Sequence, residues 1–187
     1  MLDTASLSNQ FLIAMPGLGD PNFFRTVTLV CEHGREGAMG IVINRPIDLT
    51  FRDVFTQLGI EAAACARLDE HIYLGGPVQS NRGFVLHEPV GTWESTLAVS
   101  ESLGVSTSRD ILTAIARNEG PDRCLLALGY AGWGPGQLEK ELAENAWLSG
   151  PATADILFRT PIDARWASAA HLLGVDLTHL SGESGHA

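Results

Sequence analysis

Arg123-Cys124-Leu125-Leu126-Ala127-Leu128-Gly129-Tyr130-Ala131-Gly132-Trp133-Gly134-Pro135-Gly136-Gln137-Leu138-Glu139 is the stretch on which the fold class turns. Residues 123–130 form an apolar run, the longest candidate for a buried strand in the chain. A helix is predicted before it, capped by Ser106 or Thr107 and running to about Asn118, with Ile111, Leu112 and Ile115 inward and Gly120-Pro121 past its end. A second is predicted after it, from about Pro135 to Asn145. A strand between two helices suits a βα unit of a doubly wound parallel sheet. The segment joining strand to helix, 129–139, holds four glycines, a proline and two aromatics. A loop that only turned the chain would not need Tyr130 and Trp133 among its glycines, so something is expected to approach its backbone closely, either another part of the fold or a partner.

Outward from this stretch the strands come in groups. Residues 11–15 form a strand ended by Pro16-Gly17. Residues 24–31 alternate as a strand with one wet face, placing Val27, Leu29 and Cys31 together. Gly34-Arg35-Glu36-Gly37 turns into a strand over 38–44, predicting an antiparallel hairpin. Thr50-x-x-Asp53 caps a helix carrying Phe51, Val54, Phe55 and Leu58 inward and stopped by Gly59. Short strands are predicted at 71–74, 83–87 and 96–100, a last strand at 154–158, and a last helix from Ile162 to Leu173, started by Pro161. Grouped strands argue for α+β, with a single domain over 1–180 built on a largely antiparallel sheet or on two sheets curling toward a barrel, helices flanking them, and a frayed tail at 181–187. The doubly wound parallel sheet is the alternative.

Composition narrows the function classes. The 187 residues are 45% hydrophobic and 18% charged, an ordinary globular balance, and no apolar run is long enough to span a bilayer. Met1-Leu2-Asp3-Thr4 lacks the basic start of a secretory signal. Cys31, Cys65 and Cys124 are widely spaced, which reads as reduced thiols in the cytoplasm. A net charge of −10, with Lys140 the sole lysine and the arginines scattered, opposes direct nucleic-acid binding and anionic membranes. The histidines at 33, 71, 87, 171, 179 and 186 show no metal-ligand spacing, so neither a metal nor a cofactor is expected.

Four groups of residues remain as candidates for binding. Gly75-Gly76-Pro77-Val78 with Arg82 reads as a backbone nest for an anion or as a long hairpin loop whose glycines take positive φ. Arg25, His33, Asn44, Arg45 and His87 have the chemistry of an acid–base or oxyanion site, yet turn and strand-end roles account for them as well. Cys31 beside Glu32-His33 is the one thiol with an activating neighbour, though strand alternation points them apart. In the 129–139 segment, Gly136 and Gln137 offer N–H groups to an anion, while Tyr130 and Trp133 make either a ledge for a partner or an aromatic packing corner. No Lys, Ser or Thr accompanies those glycines, so they do not form a nucleotide cradle.

Together these stretches resemble the AlgH/YqgE family of bacterial proteins. The resemblance runs over nearly the whole chain: Phe11-Leu12-Ile13-Ala14-Met15-Pro16, Asp20-Pro21-Asn22-Phe23, His33, the run from Gly37 to Pro46, Gly75-Gly76-Pro77-Val78, Gly83-Phe84-Val85-Leu86-His87, the run from Gly129 to Glu139, and Asn145-Ala146-Trp147. It implies an α+β fold and carries over no catalytic residue; some members bear the label of transcriptional regulator. The expectation is a non-enzymatic binding or regulatory domain, acting on transcription only indirectly, through a protein partner or a small anionic ligand. The alternative is a small hydrolase or transferase with a pocket of His33, His87, Asn44 and Arg45.

Overall fold

The computed structural model describes residues 6–17, 20–21 and 23–175. The expected tail at 181–187, the residues at 1–4, Asn22, His179 and His186 lie outside the described residues. In chain order the elements are β1 (Gln10–Ala14), β2 (Val27–Gly34), β3 (Gly37–Val42), β4 (Pro46–Thr50) and α1 (Phe51–Leu58). Then come β5 (His71–Leu74), β6 (Val78–Glu88), β7 (Thr96–Ala98), β8 (Gly104–Ser106) and α2 (Arg109–Ala116). β9 (Arg123–Trp133), α3 (Gln137–Ala143), β10 (Trp147–Pro151) and α4 (Arg165–Leu172) complete the set. The contacts divide the chain into two units, one running to Asn44 and resuming at Ala131, the other Arg45–Tyr130.

In the first unit the strands pair in the order β10-β1-β2-β3, with β3 taking the last three residues of β9, and every pairing is antiparallel. The β2–β3 hairpin forms at the expected turn, Gly34 facing Gly37. β2 starts at Val27 rather than at 24, because Arg25 takes a φ of 55° and Thr26 N–H closes a turn onto the Phe23 carbonyl (3.1 Å). Nor is one face wet: Val27 through Cys31, Thr28 included, are all buried, since β2 is an interior strand covered on both sides. The segment at 129–139 is only partly loop. β9 continues to Trp133, and α3 is shorter than predicted. The expected strand at 154–158 is instead a single wide helical turn, Asp155–Arg159, closed by Thr160 N–H to the Asp155 carbonyl (2.8 Å). Ile156 and Leu157 are both buried, and adjacent inward side chains suit a helical turn, not an alternating strand. A helix follows Pro161 as predicted, but Ile162–Ala164 form a short 3-10 turn and α4 itself starts at Arg165.

In the second unit β9 is flanked by β6, antiparallel, and by β5, parallel; β8 and β7 extend the sheet from β6, and β4 pairs with β5. One parallel pair among antiparallel ones makes the class α+β. The doubly wound alternative fails because β6, which lies between β8 and β9, is antiparallel to both. Gly75-Gly76-Pro77 is not a hairpin loop: β5 and β6 lie on opposite edges of β9, and neither glycine takes positive φ. The strand predicted at 96–100 ends at Ala98, where Val99 and Ser100 turn onto the Leu103 carbonyl. α1 has its predicted limits. Asp53 Oδ2 accepts from Thr50 N–H (2.8 Å), and Gly59 ends the helix at φ 67°. α2 is preceded by Ser108, whereas Ser106 lies within β8. The core packs Phe51 and Phe55 of α1 against Ile72, Val85, Ile111, Ile115 and Leu126.

Candidate functional site

Within the second unit a cleft of about 800 Å3 opens beside α1, the start of α2 and β6. Its apolar surface comes from two sources. β9 presents Leu126 and Leu128, two residues apart and so on one face of the strand. The helices add Val54 and Leu58 from α1 and Leu112 from α2, joined by Leu49 of β4. Phe51 and Phe55 turn into the core, while Val54 is half-buried and Leu58 is 39% exposed. Val54 packs against the core as well as lining the cleft, so Leu58 is the member of the i, i+3, i+4, i+7 stripe of α1 that exceeds its core contact and faces the cleft.

The polar surface is set by an irregularity in β6. Val78 pairs with Tyr130 and Gly83 with Leu128, so five steps on β6 match two on β9 and residues 79–82 bulge outward. Gln79 takes φ 48° there. The bulge brings Arg82 to the cleft; its guanidinium makes long hydrogen bonds to Gln79 Oε1 (3.3 Å) and Thr107 Oγ1 (3.4 Å) and lies 5.6 Å from the Phe84 ring centre. Arg109, the first residue of α2, donates to the Leu58 carbonyl (2.8 Å). Arg52 on α1 is paired with Asp69 (2.9 Å). Among the described residues, Arg82 and Arg109 have neutral hydrogen-bond partners and no carboxylate within ion-pair distance.

Of the residues singled out from sequence, Arg82 lines this cleft. Five others belong to the first unit. Asn44 clamps a turn: its Oδ1 accepts from Val27 N–H (2.9 Å) and its Nδ2 donates to the Arg25 carbonyl (2.9 Å). The Arg25 guanidinium sits over Phe24 and Trp166, 5.4 and 5.2 Å from their ring centres. His33 accepts from Leu7 N–H at Nδ1 (3.0 Å), and its Nε2 is 3.4 Å from Glu139 Oε1. Trp133 is 6% exposed and packs with Phe23 and Trp147. Gln137, the first residue of α3, ties the helix to the preceding turn by accepting from Gly134 N–H (3.0 Å).

The remaining five lie in the second unit. Gly75 N–H donates to the Leu128 carbonyl (2.7 Å), and the Arg45 carbonyl accepts from Leu74 N–H (2.8 Å). Gly76 presents its carbonyl to Gly129, whose φ is 78° and where a β-carbon would collide with that oxygen. This is the close approach that the glycines announce, and it comes from the fold itself. Tyr130 meets Phe84 edge to face at 5.7 Å. His87 is fully buried: Nδ1 donates to the Pro89 carbonyl (2.8 Å), leaving Nε2 to accept from the Ser106 hydroxyl (2.7 Å), which in turn contacts Thr96 Oγ1 (2.8 Å). Burial lowers the His87 pKa, opposed by the bond to Pro89.

His33 and Asn44 therefore belong to one unit and Arg45 and His87 to the other. Burial pushes the Cys31 thiol up, with the Glu32 carboxylate adding to the shift, and pushes the Cys124 thiol up to about 11, so neither is an activated nucleophile. Among the described residues no three His, Cys, Asp or Glu gather as a metal site would require.

Sequence reasoning missed Arg109, Ser106 and Glu141. Ser106 reads locally as a helix cap, and its role as partner of His87 depends on β8 pairing with β6. Glu141 is the hidden partner of the aromatic corner: its Oε1 accepts from both Trp133 Nε1 (3.0 Å) and Trp147 Nε1 (2.9 Å), and its Oε2 from Gln137 Nε2 (2.9 Å). The i, i+4 spacing of Gln137 and Glu141 was visible, but the two indoles were not. For the cleft, the overlooked signal was the extra apolar width of α1.

Comparison with known proteins covers almost all of the chain. A UPF0301 protein of Thioalkalivibrio sulfidiphilus is 59% identical over the full length of both chains. The solution structure of the AlgH protein from Pseudomonas aeruginosa is similar at a TM-score of 0.80, with 50% identity and 97% of each chain covered. Protein DIP2367 from Corynebacterium diphtheriae shares the fold, at a TM-score of 0.71 and 20% identity over 92% of this chain and 90% of that one. The family model described as AlgH-like matches residues 11–178, and the chain belongs to the AlgH-like family.

Proposed function

We propose that the protein is a non-enzymatic cytoplasmic binding domain whose ligand site is the cleft beside α1 and the β6 bulge. The observation that carries this is the pair Arg82 and Arg109, two cations without carboxylate partners among the described residues, set at an apolar cleft in a protein of net charge −10. A concave, mostly apolar surface with a few convergent polar groups is the usual form of a small-molecule site. Any effect on transcription is then exerted through what the cleft binds, a small anionic ligand or the protein partner such a ligand recruits, and not through contact with DNA. The rival hydrolase would need an accessible nucleophile beside its base. The Ser106–His87 pair has the distance, but both side chains are fully buried.

Fluorescence titration of the full chain with cis-parinarate, a fluorescent aliphatic-chain carboxylate, tests the site. Saturable binding is expected to one site, and Asn81→Trp, an exposed bulge position at the cleft, is expected to block it with the circular dichroism unchanged. Absence of saturable binding, or binding that Asn81→Trp leaves intact, overturns the assignment.

A further inference from the structure

The chemistry of the cleft specifies more than an anion. Its apolar lining is aliphatic, formed by leucines and a valine from β4, α1, α2 and β9, and among the described residues no aromatic ring lines it. Nucleobases and other flat ligands are held by stacking on aromatic faces, which this surface does not offer. Chains of methylene groups need only aliphatic contact and removal from water. Phe84, the ring nearest to Arg82, is itself covered by that guanidinium. Besides Arg52, which is paired with Asp69, the lining holds two cations from separate elements, Arg82 on the bulge and Arg109 at the start of α2. Arg109 is fixed by its bond to the Leu58 carbonyl (2.8 Å), whereas Arg82 is held by the two weak contacts of 3.3 and 3.4 Å. An oxyanion offers either guanidinium a bond between two ions, stronger than the bonds to neutral oxygens they now make. Asp53, the carboxylate in the lining, is already engaged by Thr50.

We infer that the cleft binds a single aliphatic chain ending in an oxyanion, an acyl carboxylate or alkyl phosphate, with the tail on Val54, Leu58, Leu112 and Leu128 and the head on Arg82 and Arg109. This rests on the cleft being the ligand site, and it names the ligand class. The volume of about 800 Å3 leaves room for a chain of ordinary acyl length.

The test is a titration of the full chain, followed by amide NMR shifts at Asn81, Gly83 and Thr107, with octanoate, octyl phosphate, octanol, octyltrimethylammonium and 2-naphthoate as probes. Octanoate or octyl phosphate is expected to bind at least about tenfold more tightly than octanol, and whichever binds tighter names the head group. Each methylene added from hexanoate to decanoate is expected to tighten binding about fourfold. 2-Naphthoate is expected to bind more weakly than decanoate. Arg82→Gln/Arg109→Gln should bring octanoate to the level of octanol and leave octanol unchanged; Arg82→Gln alone, on an exposed bulge, is expected to give part of that loss with the fold intact. If octanol or octyltrimethylammonium binds as well as octanoate, the oxyanion class is overturned while the cleft stands as the site. Tighter binding of 2-naphthoate than decanoate overturns the aliphatic class in the same way. If no probe moves the cleft amides, both the ligand class and the site fall.

Discussion

Gly129 and Gly136 share nearly the same positive φ, 78° and 74°, in different surroundings. A β-carbon at Gly136 meets nothing within 4 Å, whereas at Gly129 it meets the Gly76 carbonyl oxygen, the Ser80 α-carbon (3.0 Å) and the Val78 carbonyl (3.1 Å), all backbone. Gly136→Ala is therefore expected to cost only the left-handed strain, about 1 kcal/mol. Gly129→Ala adds a collision that backbone cannot relieve and is expected to cost at least about 3 kcal/mol. Denaturant unfolding of both variants measures the difference, and equal losses would refute it. Glu141 gives a second test. Its Oε1 is the acceptor for two buried indoles, so Glu141→Ala strands two N–H donors, at about 2–4 kcal/mol in total, while Glu141→Gln retains an acceptor oxygen and is expected to lose less. At this scale the sequence showed that Gly129 needed close approach and that Trp133 needed a place. It did not show what fills the space, because Gly76 and Trp147 reach those residues through pairing of distant strands.

The limits of α1 were legible because all their determinants are local: Thr50 and Asp53 at one end and Gly59 at the other, each acting within one helical turn. β4, β8 and β10 were not, being strands of three to five residues whose existence depends on the partner edge. The β6 bulge was invisible for the same reason, and with it the site, since Arg82 gains its position from a mismatch with β9. His87 shows what such pairing does to a side chain. Between β8 and the turn at Pro89 it is held neutral by burial, below its ordinary pKa of 6.5. The unfolded chain binds a proton near 6.5 that the folded chain binds only at lower pH. Folding stability is then full above about 6.5 and is lost as pH falls from there through the folded value. Urea unfolding at pH 7.5 and 5.5 is expected to show that loss, and His87→Gln is expected to remove the part due to this residue while lowering stability at both pH values. An unaltered pH dependence in the variant would exclude His87 as its source. At Gly104 a β-carbon would approach His87 Cε1 to 2.9 Å, so Gly104→Ala is expected to disturb the same buried pair.

Over the whole molecule, charge decides between classes of partner. Of the eleven arginines, Arg52, Arg67, Arg123 and Arg159 are paired with carboxylates, and Arg165 is buried, 5% exposed, donating to the Ile43 and Thr160 carbonyls. Duplex DNA would need many cations aligned along its phosphates, and each contact would have to form against the field of a chain of net charge −10. A small monoanion needs only the guanidiniums of Arg82 and Arg109, acting at hydrogen-bond range, inside the Debye length of about 8 Å at physiological ionic strength. The field that repels a polyanion therefore leaves a short-range site for one oxyanion, and the aliphatic surface beside it supplies affinity that salt does not screen. Gel shifts with duplex DNA at physiological ionic strength are expected to show no complex, while octanoate binding persists there and weakens only modestly as sodium chloride is raised. A salt-sensitive DNA complex that Arg82→Gln and Arg109→Gln abolish would reverse this order, assigning those two arginines to phosphates of nucleic acid and the apolar surface to no ligand.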